Sequence, residues 1–206
     1  KIYNDAYVQY VVVHETANTN ENGGALFHAN YLMNEFLNKT EEYKSWHFTV
    51  DDKEIYQHIP TDEVAYHAGD GSTVAGSPWS DGNKGGIGGG NRNGIGIETS
   101  VAFGDDLMSV WHRTARLASK LSKEYNLPKD QPRENVKFHR DFSGKSCPQS
   151  MLKGRYADFF YSLVENEYIR EYDFPSLKLS INSNNLEYLS NDGRIIQLPE
   201  KAITVS

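Results

Sequence analysis

Two histidines and the only cysteine of the chain are the residues best suited to bind a metal ion. His14 ends an apolar run at residues 7–13, and His139 ends a shorter one at 136–138. Cys147 follows in the segment HRDFSGKSC, where a turn can return it to His139. Imidazole nitrogen and thiolate sulfur are ligands of Zn²⁺, and a catalytic zinc site keeps one position for water. The spacing leaves a packed thiol with two hydrogen-bonded histidines equally open, because it lacks a compact signature of the HExxH type.

A carboxylate and a lysine could complete a hydrolytic site. Glu98 lies in the apolar run IGIET, where a carboxylate is unfavourable unless it is paired or used. Strand alternation puts it on the face opposite Ile97. Lys145 precedes Cys147 by two residues and would stabilise an oxyanion if the turn faces the metal. The alternatives are a solvent-facing strand glutamate and an ordinary surface lysine.

Hydrophobic periodicity predicts the elements that must position these side chains. Five strands are predicted, the second and third forming a hairpin, at 7–13, 46–50, 54–58, 95–101 and 136–138. Three helices are predicted at 25–38, 107–125 and 151–164. The Gly-rich stretch 69–94 is predicted to be a long loop, and loops of this length in compact domains are usually functional or disordered.

Composition narrows the class of protein. The 206 residues suit one α/β domain with an appendage, and the formal net charge of −7 argues against a nucleic-acid binder, which usually carries a basic patch. No apolar run approaches the roughly 20 residues that span a bilayer. One cysteine excludes an intrachain disulfide. The chain starts with Lys and shows no signal peptide, so we expect a processed form or an excised piece.

The pattern changes near Asp173. Apolar residues then alternate with polar ones between two turn-like segments, which indicates a short β-type C-terminal extension. We therefore predict a catalytic domain at 1–172 and a linker or the beginning of a second, binding module at 173–206. An extra hairpin packed on the domain is the alternative. We also expect the parent polypeptide to continue past Ser206.

Several motifs occur together in one order along the chain. They are VHET at 13–16, WHF at 46–48, AYHAG at 65–69, NGIGIE at 93–98 and HRDFSGKSCP at 139–148. In this combination the chain resembles the amidase-2 family of N-acetylmuramoyl-L-alanine amidases, which includes phage endolysins, bacterial autolysins and peptidoglycan recognition proteins. The resemblance covers roughly residues 7–165. The SGKSCP element and the VDD at 50–52 make it most similar to endolysins of phages that infect Gram-positive bacteria.

The resemblance implies roles for individual residues. It implies a Zn²⁺ cofactor whose ligands are the two histidines and the cysteine named above, with Glu98 as general acid/base and Lys145 beside the metal. One branch of the family has a tyrosine where this chain has Trp46, which carries no ionisable hydroxyl, so the proton-transfer role rests on Glu98. We predict that Trp46 and His67 contact the substrate, since His67 leads into the Gly-rich loop. His47 is predicted to be a packed strand histidine.

The resemblance also implies a fold, a substrate and a location. The fold is α/β, a central mixed β-sheet flanked by helices on both faces. The substrate is peptidoglycan, cut between N-acetylmuramic acid and L-alanine by a monomeric enzyme with no nucleic-acid or membrane partner. It would act at the bacterial cell wall, either secreted or released from the host cytoplasm as a phage endolysin. The alternatives are a non-catalytic peptidoglycan-binding module and an amidase that recycles free muropeptides.

Overall fold

Five strands form one mixed sheet in the part of the chain that this computed structural model describes, residues 8–38, 44–69 and 89–176. The strands are β1 (Tyr10–Glu15), β2 (Phe48–Val50), β3 (Ile55–Gln57), β4 (Gly94–Thr99) and β5 (Val136–Phe138). Their order across the sheet is β3-β2-β4-β1-β5. β1 pairs in parallel with β4 and β5, and β2 pairs in parallel with β4 and antiparallel with β3. The central strands therefore end at the same edge of the sheet.

Helices connect and cover these strands. They are α1 (Ala25–Asn38), α2 (Gly90–Asn93), α3 (Leu107–Glu124), α4 (Pro132–Asn135), α5 (His139–Ser143), α6 (Gln149–Lys153) and α7 (Ala157–Asp173). α3 begins where the Asp106 side chain accepts a hydrogen bond from the Met108 amide at 3.1 Å, as expected of an N-cap. Its buried positions recur at helical spacing and pack on the sheet together with α7.

The two faces of the sheet differ in chemistry, because side chains alternate across a strand. On one face, Val11 and Val13 of β1 join the apolar core with residues of α3 and α7. On the other face, β1 carries Val12 and His14. The apolar cluster there is small and consists of Val12, Ala68 and Phe142 of α5, with Tyr10 against it. Helices thus cover both faces of a mixed sheet, which confirms the predicted α/β fold class, and the polar face is the one available for chemistry.

Several boundaries differ from the sequence-based prediction. The helix predicted at 151–164 is two helices, α6 and α7. The reason lies at Gly154 and Arg155: a Cβ at position 154 would lie 2.5 Å from the Ser150 carbonyl oxygen, and Arg155 has a left-handed φ of 61°. The short helices α2, α4 and α5 were not predicted, since one turn of helix is too short to show a period. β1 begins at Tyr10 and continues through His14 to Glu15.

Two parts of the sequence-based prediction lie outside the described residues. They are positions 70–88 of the Gly-rich stretch and positions 177–206 of the predicted β-type extension. The chain divides into one compact unit at 1–173 and another at 174–206. Within the described ranges, every helix is too short or too polar to cross a membrane.

Candidate metal centre

The three predicted metal ligands meet at one end of the sheet. His14 lies near the end of β1, and His139 is the first residue of α5, directly after the neighbouring parallel strand β5. One ligand atom each from His14, His139 and Cys147 lies within 4.8 Å of the other two, and all three residues are buried. The Nδ1 atoms of the two histidines are 3.0 Å apart. Among the described residues, this is the only group of three that could hold a metal ion.

Backbone and side-chain hydrogen bonds hold Cys147 close to His14 and His139. α5 ends at Ser143, and the following Gly144 has a φ of 75°, which reverses the chain. The Arg140 amide donates to the Cys147 carbonyl at 3.1 Å. The Glu15 amide donates to Cys147 Sγ at 3.4 Å. The Glu15 carboxylate in turn accepts from the Ser150 amide at 2.6 Å. The end of β1 therefore holds the cysteine segment at Cys147 and at Ser150.

Burial sets the protonation of this donor set. Desolvation lowers the pKa of His14, assisted by the nearby His67 and His139, and lowers the pKa of His139 to about 4. Both imidazoles are therefore neutral near pH 7, which is the form that binds metals. Desolvation, with Glu98 adding to it, raises the pKa of the Cys147 thiol to about 12. A thiolate at this place needs a cation beside it.

The donor set fits Zn²⁺. Two neutral imidazoles and a cysteine form one of the ligand combinations found in catalytic zinc sites. The two Nδ1 atoms are 3.0 Å apart, close enough for both to contact one ion. His14, His139 and Cys147 would hold the ion. As three protein ligands, they leave a fourth position for water or substrate.

Glu98 lies beside the cluster on the same face of the sheet. In the β1–β4 register it pairs with His14, and its Oε1 is 4.0 Å from His14 Nδ1. Its Oε2 is buried without a hydrogen-bond partner in the described structure, while Ile97 is fully buried in the core on the opposite face. Desolvation raises the pKa of Glu98 to about 8, and the charge of Lys145 opposes this shift. A carboxyl group that titrates near neutral pH suits general acid/base catalysis.

Lys145 is exposed but close enough to act on the cluster. Its positive charge lowers the pKa of His14, His139 and Glu98. Its side chain can therefore stabilise negative charge that develops at the mouth of the site. The role of Lys145 beside a metal ion stays a prediction.

Trp46 and His67, predicted to contact substrate, are engaged inside the protein. The Trp46 indole is buried, and its Nε1 donates to Thr49 Oγ1 at 2.8 Å. The His67 ring lies between His14 and the carbonyl of Gly94, with both nitrogens in hydrogen-bond contact at 2.9 and 3.3 Å. These contacts give Trp46 a packing role and leave His67 no free ring nitrogen. Their contact with substrate stays a prediction that the geometry does not favour.

Two further residues support the site without having been singled out in the sequence. Asn91 accepts hydrogen bonds from the His67 and Ala68 amides at 2.8 and 2.7 Å. Glu15 holds the cysteine segment as described above, and its place directly after His14 was the only signal for it. His47 is a packed histidine, as predicted: its ring nitrogens contact the Gly96 amide and the Glu63 carbonyl, both at 2.9 Å.

Comparison with known proteins gives consistent matches. The family model described as N-acetylmuramoyl-L-alanine amidase matches residues 4–150. Two curated Bacillus subtilis relatives are the N-acetylmuramoyl-L-alanine amidases CwlH and XlyA. CwlH is 40% identical over 143 residues, which is 69% of this chain and 48% of CwlH. XlyA is 38% identical over 143 residues, 69% of this chain and 40% of XlyA, so the chain spans less than half the length of either relative.

Solved structures share the fold. The catalytic domain of XlyA is 36% identical and superposes with a TM-score of 0.60 over 78% of this chain and 90% of that domain. The PlyG catalytic domain is 27% identical, with a TM-score of 0.59 over 80% of this chain and 84% of that domain. The matched regions are thus nearly whole catalytic domains of these proteins.

Proposed function

The chain belongs to the family of N-acetylmuramoyl-L-alanine amidases, and on this premise we propose that it is a zinc-dependent enzyme of bacterial peptidoglycan. The bond cut is the amide between the lactyl group of N-acetylmuramic acid and the L-alanine of the stem peptide. The observation that carries the proposal is the buried convergence of His14, His139 and Cys147 with Glu98 4.0 Å from the His14 ring. A non-catalytic binding module would not need this combination.

In the proposed reaction, Glu98 transfers the proton and Lys145 stabilises negative charge. A bound Zn²⁺ supplies Lewis acidity, which lowers the pKa of water and polarises a carbonyl group. Glu98 accepts a proton from the attacking water, whose oxygen forms a bond to the lactyl carbonyl carbon. Lys145 stabilises the negative charge on the carbonyl oxygen. Glu98 then donates the proton to the L-alanine nitrogen as the C–N bond breaks, so a free carboxylate and a free amine leave.

On the same premise we propose that the enzyme acts at the bacterial cell wall, as a phage endolysin or a bacterial autolysin. Its substrate is a polymer, and the site opens at one end of the sheet where Lys145 is exposed. The relatives CwlH and XlyA are N-acetylmuramoyl-L-alanine amidases of Bacillus subtilis, which supports peptidoglycan as the substrate class.

Metal content and turnover test the proposal together. The protein, purified without chelator, is expected to contain one Zn²⁺ per chain and to hydrolyse soluble muropeptides. Chelation should remove both, and Zn²⁺ should restore both. Cys147→Ala should lose the metal and the activity. The control Met151→Leu, which changes a buried apolar side chain of the core, should keep both. Full turnover by verified metal-free protein would contradict the proposal.

A further inference from the structure

We propose that His67 is a positioning residue that fixes the tautomer of His14, so that a lone pair of His14 faces His139 and Cys147. We further infer that the segment 67–69, held by Asn91, supports both histidine ligands. The inference rests on the proposed function, because the tautomer matters only if the cluster binds a metal.

The tautomer of His67 is fixed by its backbone contact. His67 Nε2 lies 3.3 Å from the carbonyl oxygen of Gly94, and a carbonyl oxygen can only accept a hydrogen bond. The other ring nitrogen, Nδ1, faces Nε2 of the His14 ring. A neutral imidazole carries one proton, and here that proton is on Nε2. The Nδ1 atom of His67 is therefore an acceptor.

The tautomer of His14 follows from that of His67. His14 Nε2 lies 2.9 Å from His67 Nδ1, so it must donate its proton to that acceptor. The neutral His14 ring then has an unprotonated Nδ1. This atom faces His139 Nδ1 at 3.0 Å and belongs to the three-ligand cluster. The second ring nitrogen of a metal-binding histidine generally donates to a partner that orients it, and here the partner is a second histidine.

The neighbouring residue supports the other histidine ligand. His139 lies against the same segment, since a Cβ at Gly69 would lie 3.5 Å from His139 Nε2. The Asn91 side-chain oxygen accepts hydrogen bonds from the Ala68 amide at 2.7 Å and from the His67 amide at 2.8 Å. One asparagine thus holds the backbone that carries His67 and lies against His139.

Gly96 of β4 leaves room for the His67 ring against the sheet. A Cβ at Gly96 of β4 would lie 2.8 Å from Cγ of the His67 ring, closer than real contacts allow. Glycine at 96 lets the ring lie against the strand, between Gly94 and His14. The contact geometry therefore depends on the residue type of β4 as well as on His67.

A matched set of variants tests the inference through zinc affinity. His67→Phe keeps a ring of similar size but has no acceptor, and His67→Asn keeps an acceptor oxygen about where Nδ1 lies. Zn²⁺ affinity, measured by competition with a chromophoric chelator, should fall about 10–100-fold in His67→Phe. His67→Asn should recover part of this loss. The control His28→Phe removes a buried histidine of α1 and should leave zinc affinity unchanged. A role of His67 in stability alone would lower the melting temperature of both His67 variants without separating their zinc affinities.

A spectroscopic measurement on the unaltered chain decides the tautomer itself. Long-range ¹H–¹⁵N correlation spectra of the metal-free protein should show His14 and His67 protonated at Nε2. An Nδ1-protonated His14, or parental zinc affinity in a folded His67→Phe, would overturn the inference. If the parent chain bound no zinc, the proposed function would fail, and the tautomer spectrum would still test the hydrogen-bond chain.

Discussion

Burial sets the protonation states of the candidate metal ligands in the metal-free protein. His14 and His139 are neutral because the charged imidazole is poorly solvated there, and the Cys147 thiol keeps its proton for the same reason. Binding of a cation must therefore displace a proton from Cys147 but none from the histidines. Burial also raises the pKa of Glu98 to about 8, so its protonated and ionised forms can both be populated near neutral pH.

This proton balance predicts how zinc affinity depends on pH. With the thiol pKa raised to about 12 and the His139 pKa lowered to about 4, one proton leaves per ion bound between pH 6 and 8. The dissociation constant should then fall about tenfold for each unit of rising pH. The titration is best done in Glu98→Gln, which removes the other group that titrates in this range. A pH-independent affinity with Cys147 present would contradict the account.

Replacement of Glu98 should separate catalysis from metal binding. Glu98→Gln keeps the shape of the side chain but cannot carry the proton, so turnover on muropeptides should fall by about 10²–10⁴-fold. Zinc content and melting temperature should remain close to those of the parent, since Glu98 Oε2 has no hydrogen-bond partner to lose within the described residues. Glu124→Gln, an exposed change on α3, serves as the control. Near-normal turnover of Glu98→Gln would assign proton transfer to another group.

At the scale of elements, one buried carboxylate links the β2–β3 turn to the start of α1. Asp51 is 8% exposed and accepts hydrogen bonds from the Ala25, Lys53 and Glu54 amides at 2.9, 2.8 and 2.6 Å. Gly24 is required beside it, because a Cβ there would lie 2.9 Å from Asp51 Oδ2. The carboxylate thus satisfies a helix N-terminus and a tight turn together.

Asp51→Ala should therefore destabilise the fold by about 2–4 kcal/mol, since three amides lose a charged acceptor. For a chain of this length the melting temperature should fall by at least about 4 °C. Thermal unfolding followed by circular dichroism measures this, with the exposed Asp62→Ala as the control. Equal melting temperatures for the two variants would show that water replaces these hydrogen bonds without cost.

Periodicity predicts the elements where burial is regular and fails where single contacts set the structure. The apolar stripe of α3 and the alternation of Ile97 and Glu98 follow from the sequence, because each reflects one buried face. The break at Gly154 does not, since it depends on close approach to the Ser150 carbonyl and the Tyr156 ring. The contact between His67 and His14 could not be predicted from sequence periodicity either. Its partner His14 is 53 positions away, and only the folded sheet brings the two rings together.

At the scale of the whole molecule, the net charge bears on how the protein would be held at the cell wall. The chain carries a formal net charge of −7, and Gram-positive walls are anionic, so long-range electrostatics would not attract the chain to this proposed substrate. A wall-binding module that begins after α7 would supply that attachment. All five residues of the proposed chemistry lie before that point.

Truncation after Asp173, where α7 ends, tests this modular hypothesis. The shortened chain should hydrolyse soluble muropeptides about as well as the full chain, with its melting temperature changed by less than about 4 °C, or about 1 kcal/mol. A larger drop in melting temperature would favour an extension that packs on the catalytic domain. Lost turnover at unchanged stability would place part of the substrate groove after residue 173.

The identity of the bond that is cut tests the central claim most directly. Purified Gram-positive cell walls are digested with the zinc-loaded protein, and the new chain ends are identified by mass spectrometry and end-group labelling. Glu98→Gln, which should bind zinc but not catalyse, serves as the parallel control. The account predicts new free amino groups on L-alanine and no new reducing sugars. New reducing sugars without free L-alanine, or walls that bind the protein and remain uncut, would contradict it.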